Sequence, residues 1–139
     1  MAESETHMKY VRQAERFVIG ILPKEVCPHL KVDSPSSNDI PPQLLSDAYR
    51  PDLYLHYKDW HIIGEAKTDD DCARSHSIEQ YKTYFNELES FGLANSLLIV
   101  SCSMIVSPTV SNLLLRMKKQ YSYQSKVLVV NELGKYKEF

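Results

Sequence analysis

The 139-residue chain has only 3 cysteines, has no long apolar run, and is close to electrically balanced; each shortage removes a class of protein. The cysteines, Cys27, Cys72 and Cys102, are odd in number and far apart, and none belongs to a Cys-x-x-Cys pair. That excludes a disulfide framework and the usual zinc or dithiol motifs, so each is expected to be a reduced thiol. His29 stands near Cys27, but no matching ligand pair follows downstream, and the spacing makes a poor zinc site. No apolar stretch approaches the ~20 residues that cross a bilayer, and residues 1–10 are too charged to hold the apolar centre of a signal peptide. The chain is therefore expected to be cytoplasmic and to keep away from membranes. A formal net charge of -2 gives no global attraction to polyanions, so any hold on nucleic acid must come from a local basic surface.

What the sequence does contain is enough apolar material, 43% of residues, to bury one core, in a length too short for two ordinary domains. A single domain over 1–139 is expected. Tyr10, Ala14, Phe17, Val18 and Ile21 recur at helical spacing over 6–22, and Pro23 ends that segment. A short strand is expected over 26–32, followed over 34–42 by a loop rich in serine and proline, expected to be the mobile segment. Residues 52–57 and 60–67 read as two strands around the polar pair Lys58-Asp59. A helix over 77–90, with Gly92 as its C-cap, a doubly covered apolar strand over 97–101, a helix opened by Ser107-Pro108, and a strand over 126–130 complete the chain. The order α-β-β-β-α-β-α-β implies an α/β fold, a mixed sheet flanked by helices.

A turn centred on Lys58-Asp59 pairs Tyr57 with Trp60 and, stepping outward residue by residue, Asp52 with Glu65. Directly opposed residues share a face with Cβ atoms ~4.5–5.5 Å apart, and the two-residue period adds Lys67 to that face. Facing carboxylates repel, so a sheet gains nothing from them unless a cation sits between. A hard divalent ion such as magnesium takes one or two carboxylates, with water and substrate phosphate filling its shell. Asp52 and Glu65 are thus candidate metal ligands, with the Ala66 carbonyl as a third, and Lys67 is placed to stabilise charge on a phosphoryl group. Lys-Asp is not a favoured hairpin turn, and a loop one residue longer would put the two carboxylates on opposite faces.

These residues, Arg50-Pro51-Asp52 followed by Gly64-Glu65-Ala66-Lys67, resemble the PD-(D/E)XK nuclease superfamily. Gln80 and Tyr84 are similar to the Q-x-x-x-Y signature that several of its families carry on the next helix, and at four residues apart they share a face. The stretch from Pro51 to Val100 also looks like a VRR-NUC domain. Ala14-Glu15-Arg16 resembles the helix glutamate of the superfamily and of archaeal Holliday-junction resolvases, which makes Glu15 a candidate further ligand. The resemblance implies a restriction-endonuclease-like core and an Mg2+- or Mn2+-dependent deoxyribonuclease. Asp52, Glu65, Lys67, Gln80 and Tyr84 would be its catalytic set. A homodimer is expected by the same analogy.

Other residues compete for attention. Between Leu113 and Val130 the chain carries Arg116, Lys118, Lys119 and Lys126 with Tyr121 and Tyr123 and no acid, which fits a nucleic-acid-binding edge or a helix end whose cations complement its dipole. His56 and His61 fall on the face of Asp52 and Glu65 as candidate proton carriers or as ordinary strand histidines, and His76 is a candidate substrate contact. Tyr57 and Trp60 are expected in the core. Asp69, Asp70 and Asp71 fit a solvated turn or a second metal position. The competing reading of the whole chain is a catalytically silent nuclease-like fold kept for nucleic-acid binding or assembly.

Overall fold

The computed structural model describes residues 5–34, 39–44 and 49–139. Helix α1 (Glu5–Ile21) leads into a short 3-10 turn at Cys27–His29, and strands β1 (Lys31–Val32), β2 (Leu53–Tyr57) and β3 (Trp60–Ala66) follow. Next come α2 (Ser75–Phe91), β4 (Asn95–Ser101), α3 (Ser107–Tyr121), β5 (Lys126–Val130) and β6 (Tyr136–Glu138). Among the described residues the strands form one six-stranded mixed sheet in the order β1-β2-β3-β4-β5-β6. The β3-β4 and β4-β5 pairs are parallel and the others antiparallel. The expected α/β class and element order are found, with one strand more than expected.

Three layers follow from the period-two alternation of the strands. Leu53, Leu55, Ile62, Ile99 and Leu128 point to one side and pack with Met8, Val11, Ala14 and Val18 of α1. Tyr54, Ile63, Leu98, Val100 and Val129 point to the other side and pack with Tyr81, Phe85 and Leu88 of α2 and Val110, Leu114 and Met117 of α3. Tyr57 and Trp60 join the α1 layer, as expected.

Several local expectations change for identifiable reasons. Pro28 lies in the middle of the segment expected as a strand, which turns at Cys27–His29 and pairs only at Lys31–Val32. The C-cap at Gly92 is as expected: its φ of 56° is left-handed, and its N–H donates to Leu88 O. Ser107 is the first residue of α3 rather than its cap; Val106 holds that position without a side-chain bond, and Pro108 follows in the first turn. Of the expected loop over 34–42, residues 35–38 lie outside the described residues.

The hairpin register decides the site. Tyr57 pairs with Trp60, His56 with His61, and so outward to Leu53 with Gly64. Lys58 takes a left-handed φ of 54° in the turn, a conformation that costs a residue with a Cβ about 1–2 kcal/mol. Asn95 offsets it, donating its backbone N–H to Asp59 O and its side-chain amide to Asp59 Oδ2, both at 3.0 Å. Gly64 is also required there, because a Cβ on it would meet Leu53 Cβ at 2.9 Å.

Candidate metal centre

One step beyond the last pair of the β2-β3 ladder, Asp52 donates its N–H to Gly64 O at 3.0 Å, and Ala66 donates its N–H to Asp52 Oδ2 at 2.8 Å. The aspartate is thereby held against the end of β3, where Glu65 points to the same side. Ligand atoms of Asp52, Glu65 and His7 all lie within 4.8 Å of one another, the one such trio among the described residues. His7 Nε2 stands 3.3 Å from Asp52 Oδ2. One imidazole nitrogen and two carboxylates are donors of the kind that could hold a divalent ion.

The residue that α1 brings to the carboxylates is His7 and not Glu15. Eight residues of helix separate them, about 12 Å of rise, and Glu15 is not in the trio. Helical spacing could have shown this, since 7, 11, 14 and 18 share one face and Val11, Ala14 and Val18 are fully buried. Glu15 flanks that stripe.

Helix α2 supplies the support. Tyr84 donates its hydroxyl to Glu65 Oε1 at 2.7 Å. Gln80 Oε1 accepts from the Lys67 ammonium, which also stands 3.5 Å from Asp71 Oδ2 and 3.9 Å from Glu65 Oε2. Gln80 and Tyr84, four residues apart, thus hold Lys67 and Glu65 separately. Burial first, and then the charge of Asp52, push the Glu65 carboxyl well above the usual carboxylate range, against the opposing pull of Lys67 and the Tyr84 bond. Asp52 (4% exposed), Glu65 (5%) and Lys67 (2%) form a centre that is almost enclosed.

The acidic turn has local work. Asp69 accepts from Ser103 Oγ at 2.7 Å, Asp70 O accepts from Arg74 Nε at 2.8 Å, and Asp71 accepts from Lys67 through its carboxylate and from Ser77 through its carbonyl. No second metal trio is present among the described residues. His56 and His61 do share the Glu65 face, but four strand residues, roughly 13 Å, separate His61 from Glu65. His61 is fully buried, its Nε2 3.2 Å from Tyr54 Oη and 3.7 Å from Glu87 Oε2, with His56 stacked on it at 4.6 Å. His76 is exposed, its ring 6.1 Å from that of Tyr49. Cys27, Cys72 and Cys102 are free thiols, and His29 stacks on Tyr57 rather than joining Cys27 at a metal.

The basic stretch does not converge on the carboxylates. Glu65 shares a rung with Val100 and Val129, whereas Lys126 opens β5 opposite Leu97, three rungs or about 10 Å toward the other end of the strands. Lys126 is paired with Glu138 at 3.4 Å, and Lys118 is partly buried, while Arg116 and Lys119 are exposed.

Comparison with protein-family models, with curated proteins and with solved structures finds no match for this chain. No helix among the described residues is long and apolar enough to cross a membrane.

Proposed function

We propose that the chain is a metal-dependent nuclease of PD-(D/E)XK type with a restriction-endonuclease-like core, hydrolysing phosphodiester bonds of nucleic acid, DNA foremost. The observation that carries this reading is the convergence of Asp52, Glu65 and His7 within 4.8 Å beside the Lys67 ammonium. Two carboxylates brought this close cost free energy unless a cation offsets them. Asp52, Glu65 and His7 would hold Mg2+ or Mn2+, with the Ala66 carbonyl a further donor. The ion would supply Lewis-acid charge to a phosphoryl oxygen.

The chain's own groups do the rest. Lys67 places a positive charge where negative charge develops as water attacks phosphorus, and Gln80 fixes the direction of its ammonium. Tyr84 holds the Glu65 carboxylate in one orientation and stabilises its charged form. A nitrogen ligand among oxygens favours Mn2+ over Mg2+ in this reading.

The test is incubation of the protein with single-stranded, duplex and branched DNA and with RNA, in Mg2+ or Mn2+, beside Asp52→Ala. Cleavage by the wild type and not by the variant is expected. The near-complete enclosure of Asp52, Glu65 and Lys67 favours the second reading, a silent binding or assembly module. Metal-independent binding of nucleic acid with no cleavage of any substrate is its signature.

A further inference from the structure

Helices α2 and α3 lie side by side over one face of the sheet, and the outer seam between them gathers cations and aromatic rings far from the carboxylates. Lys82 Nζ from α2 stands 5.2 Å over the ring of Tyr121, the last residue of α3. Tyr121 is 42% exposed, and its ring lies 5.4 Å from that of Tyr123. Tyr123 is fixed from beneath: it stacks on Phe85 at 4.4 Å, and its hydroxyl donates to Asn86 Oδ1 at 3.1 Å. Arg116 is exposed and stands three residues from Leu113, which packs in the core under α2 and α3, so helical spacing places it on the same flank of α3.

Of the acids on α2, exposed Glu79 stands one helical turn from Lys82, and Glu89, at the far end of the seam, is already engaged, accepting from the N–H groups of Gln124 and Ser125 at 2.9 Å and from the Ser125 hydroxyl. The seam therefore offers an anchored aromatic pair, one ring half open, flanked by Lys82 and Arg116. We propose that this seam binds single-stranded nucleic acid, with bases stacking on Tyr121 and phosphates meeting Lys82 and Arg116. Stacking uses the π-face that every base presents, and a duplex hides those faces inside its own stack, so the ring selects unpaired strands. Lys82 and the buried Gln80 lie two residues apart on α2 but on opposite sides of it, so a strand held on the seam would have to run around the helix to reach the reactive centre. In that respect the inference rests on the nuclease reading and narrows its substrate to strands with an unpaired segment.

The test is fluorescence anisotropy with a labelled single-stranded oligodeoxynucleotide and its duplex, using the full chain in EDTA so that cleavage plays no part. The single strand is expected to bind more tightly than the duplex. Tyr121→Ala weakens that binding roughly 5- to 150-fold, and Tyr121→Phe, which keeps the ring, binds as the wild type does. Lys82→Ala, at a half-buried position, and Arg116→Ala, at an exposed one, each reduce the dependence of log affinity on log salt by about 0.7. Equal binding of duplex, indifference to Tyr121→Ala and to both cation variants, or no binding overturns the proposal. Binding that follows this pattern without any metal-dependent cleavage sinks the nuclease reading and leaves the seam standing.

Discussion

Tyr84 donates its hydroxyl to Glu65 Oε1 at 2.7 Å from a fully buried position on α2, so the orientation of one candidate metal ligand is set by a helix packed on the sheet. Burial raises the Tyr84 pKa, as do the Glu65 charge and their hydrogen bond, which keeps the hydroxyl a donor across the working pH range. Tyr84→Phe removes the donor and leaves the ring. A hydrogen bond to a charged group contributes about 1.5–3 kcal/mol, so the variant is expected to bind Mn2+ roughly ten-fold or more weakly at neutral pH. Because the lost bond favours the charged carboxylate, the Glu65 pKa rises further, and the pH at which metal binding is half-maximal moves upward. Titrating Mn2+ at several pH values checks this; an unchanged profile contradicts it.

Gly64→Ala tests whether the hairpin's close approach positions the site. The new methyl would lie 2.9 Å from Leu53 Cβ, inside the contact limit, and the strands must separate next to Asp52 and Glu65. A loss of stability of about 1–3 kcal/mol is expected from the overpacking, together with weaker metal binding. Thermal melts in EDTA and in Mn2+ measure both, and a variant that melts and binds as the wild type does removes Gly64 from the account.

His61 makes an acid-sensitive contribution at the other end of the hairpin. Burial, and secondarily the charge of His56, lower its pKa to about 4 from an ordinary 6.5. Between those values the unfolded chain binds the proton and the folded chain does not, so this contribution is full above about 6.5 and is lost as pH falls toward 4. It amounts to roughly 3–3.5 kcal/mol at most. His61→Phe should flatten the stability profile between pH 6.5 and 4 relative to wild type; parallel profiles contradict the assignment.

The fold was legible in the sequence where apolar periodicity was strong. The stripes of α1, α2 and α3 and the doubly covered β4 could be derived from spacing, because burial on a face imposes a period, whereas the β2-β3 register also depended on a two-residue turn. Strand β6 could not, since Tyr136, Lys137 and Glu138 are all exposed and only the turn at Gly134, with φ of 74°, brings them to β5. The Lys58-Asp59 turn ran against turn preference, and Asn95, distant in sequence, is what offsets it. The opposition of Asp52 and Glu65 followed from the register. His7 followed only in part, because helical spacing sets it on the buried stripe of Val11, Ala14 and Val18, whereas the crossing of α1 over the sheet, set by packing, decides which residue of that stripe reaches the carboxylates.

The central claim is that His7, Asp52 and Glu65 together hold one divalent ion, and calorimetric titration of Mn2+ into the full chain at pH 7.5 or so tests it most directly. Uptake of one ion per chain is expected in the wild type. It should be lost in Asp52→Asn, weakened in His7→Ala and unchanged in Glu15→Gln. In EDTA, Asp52→Asn should also melt higher than the wild type, because it removes one of two facing charges. No measurable uptake by the wild type, or uptake that Asp52→Asn leaves intact, contradicts the account.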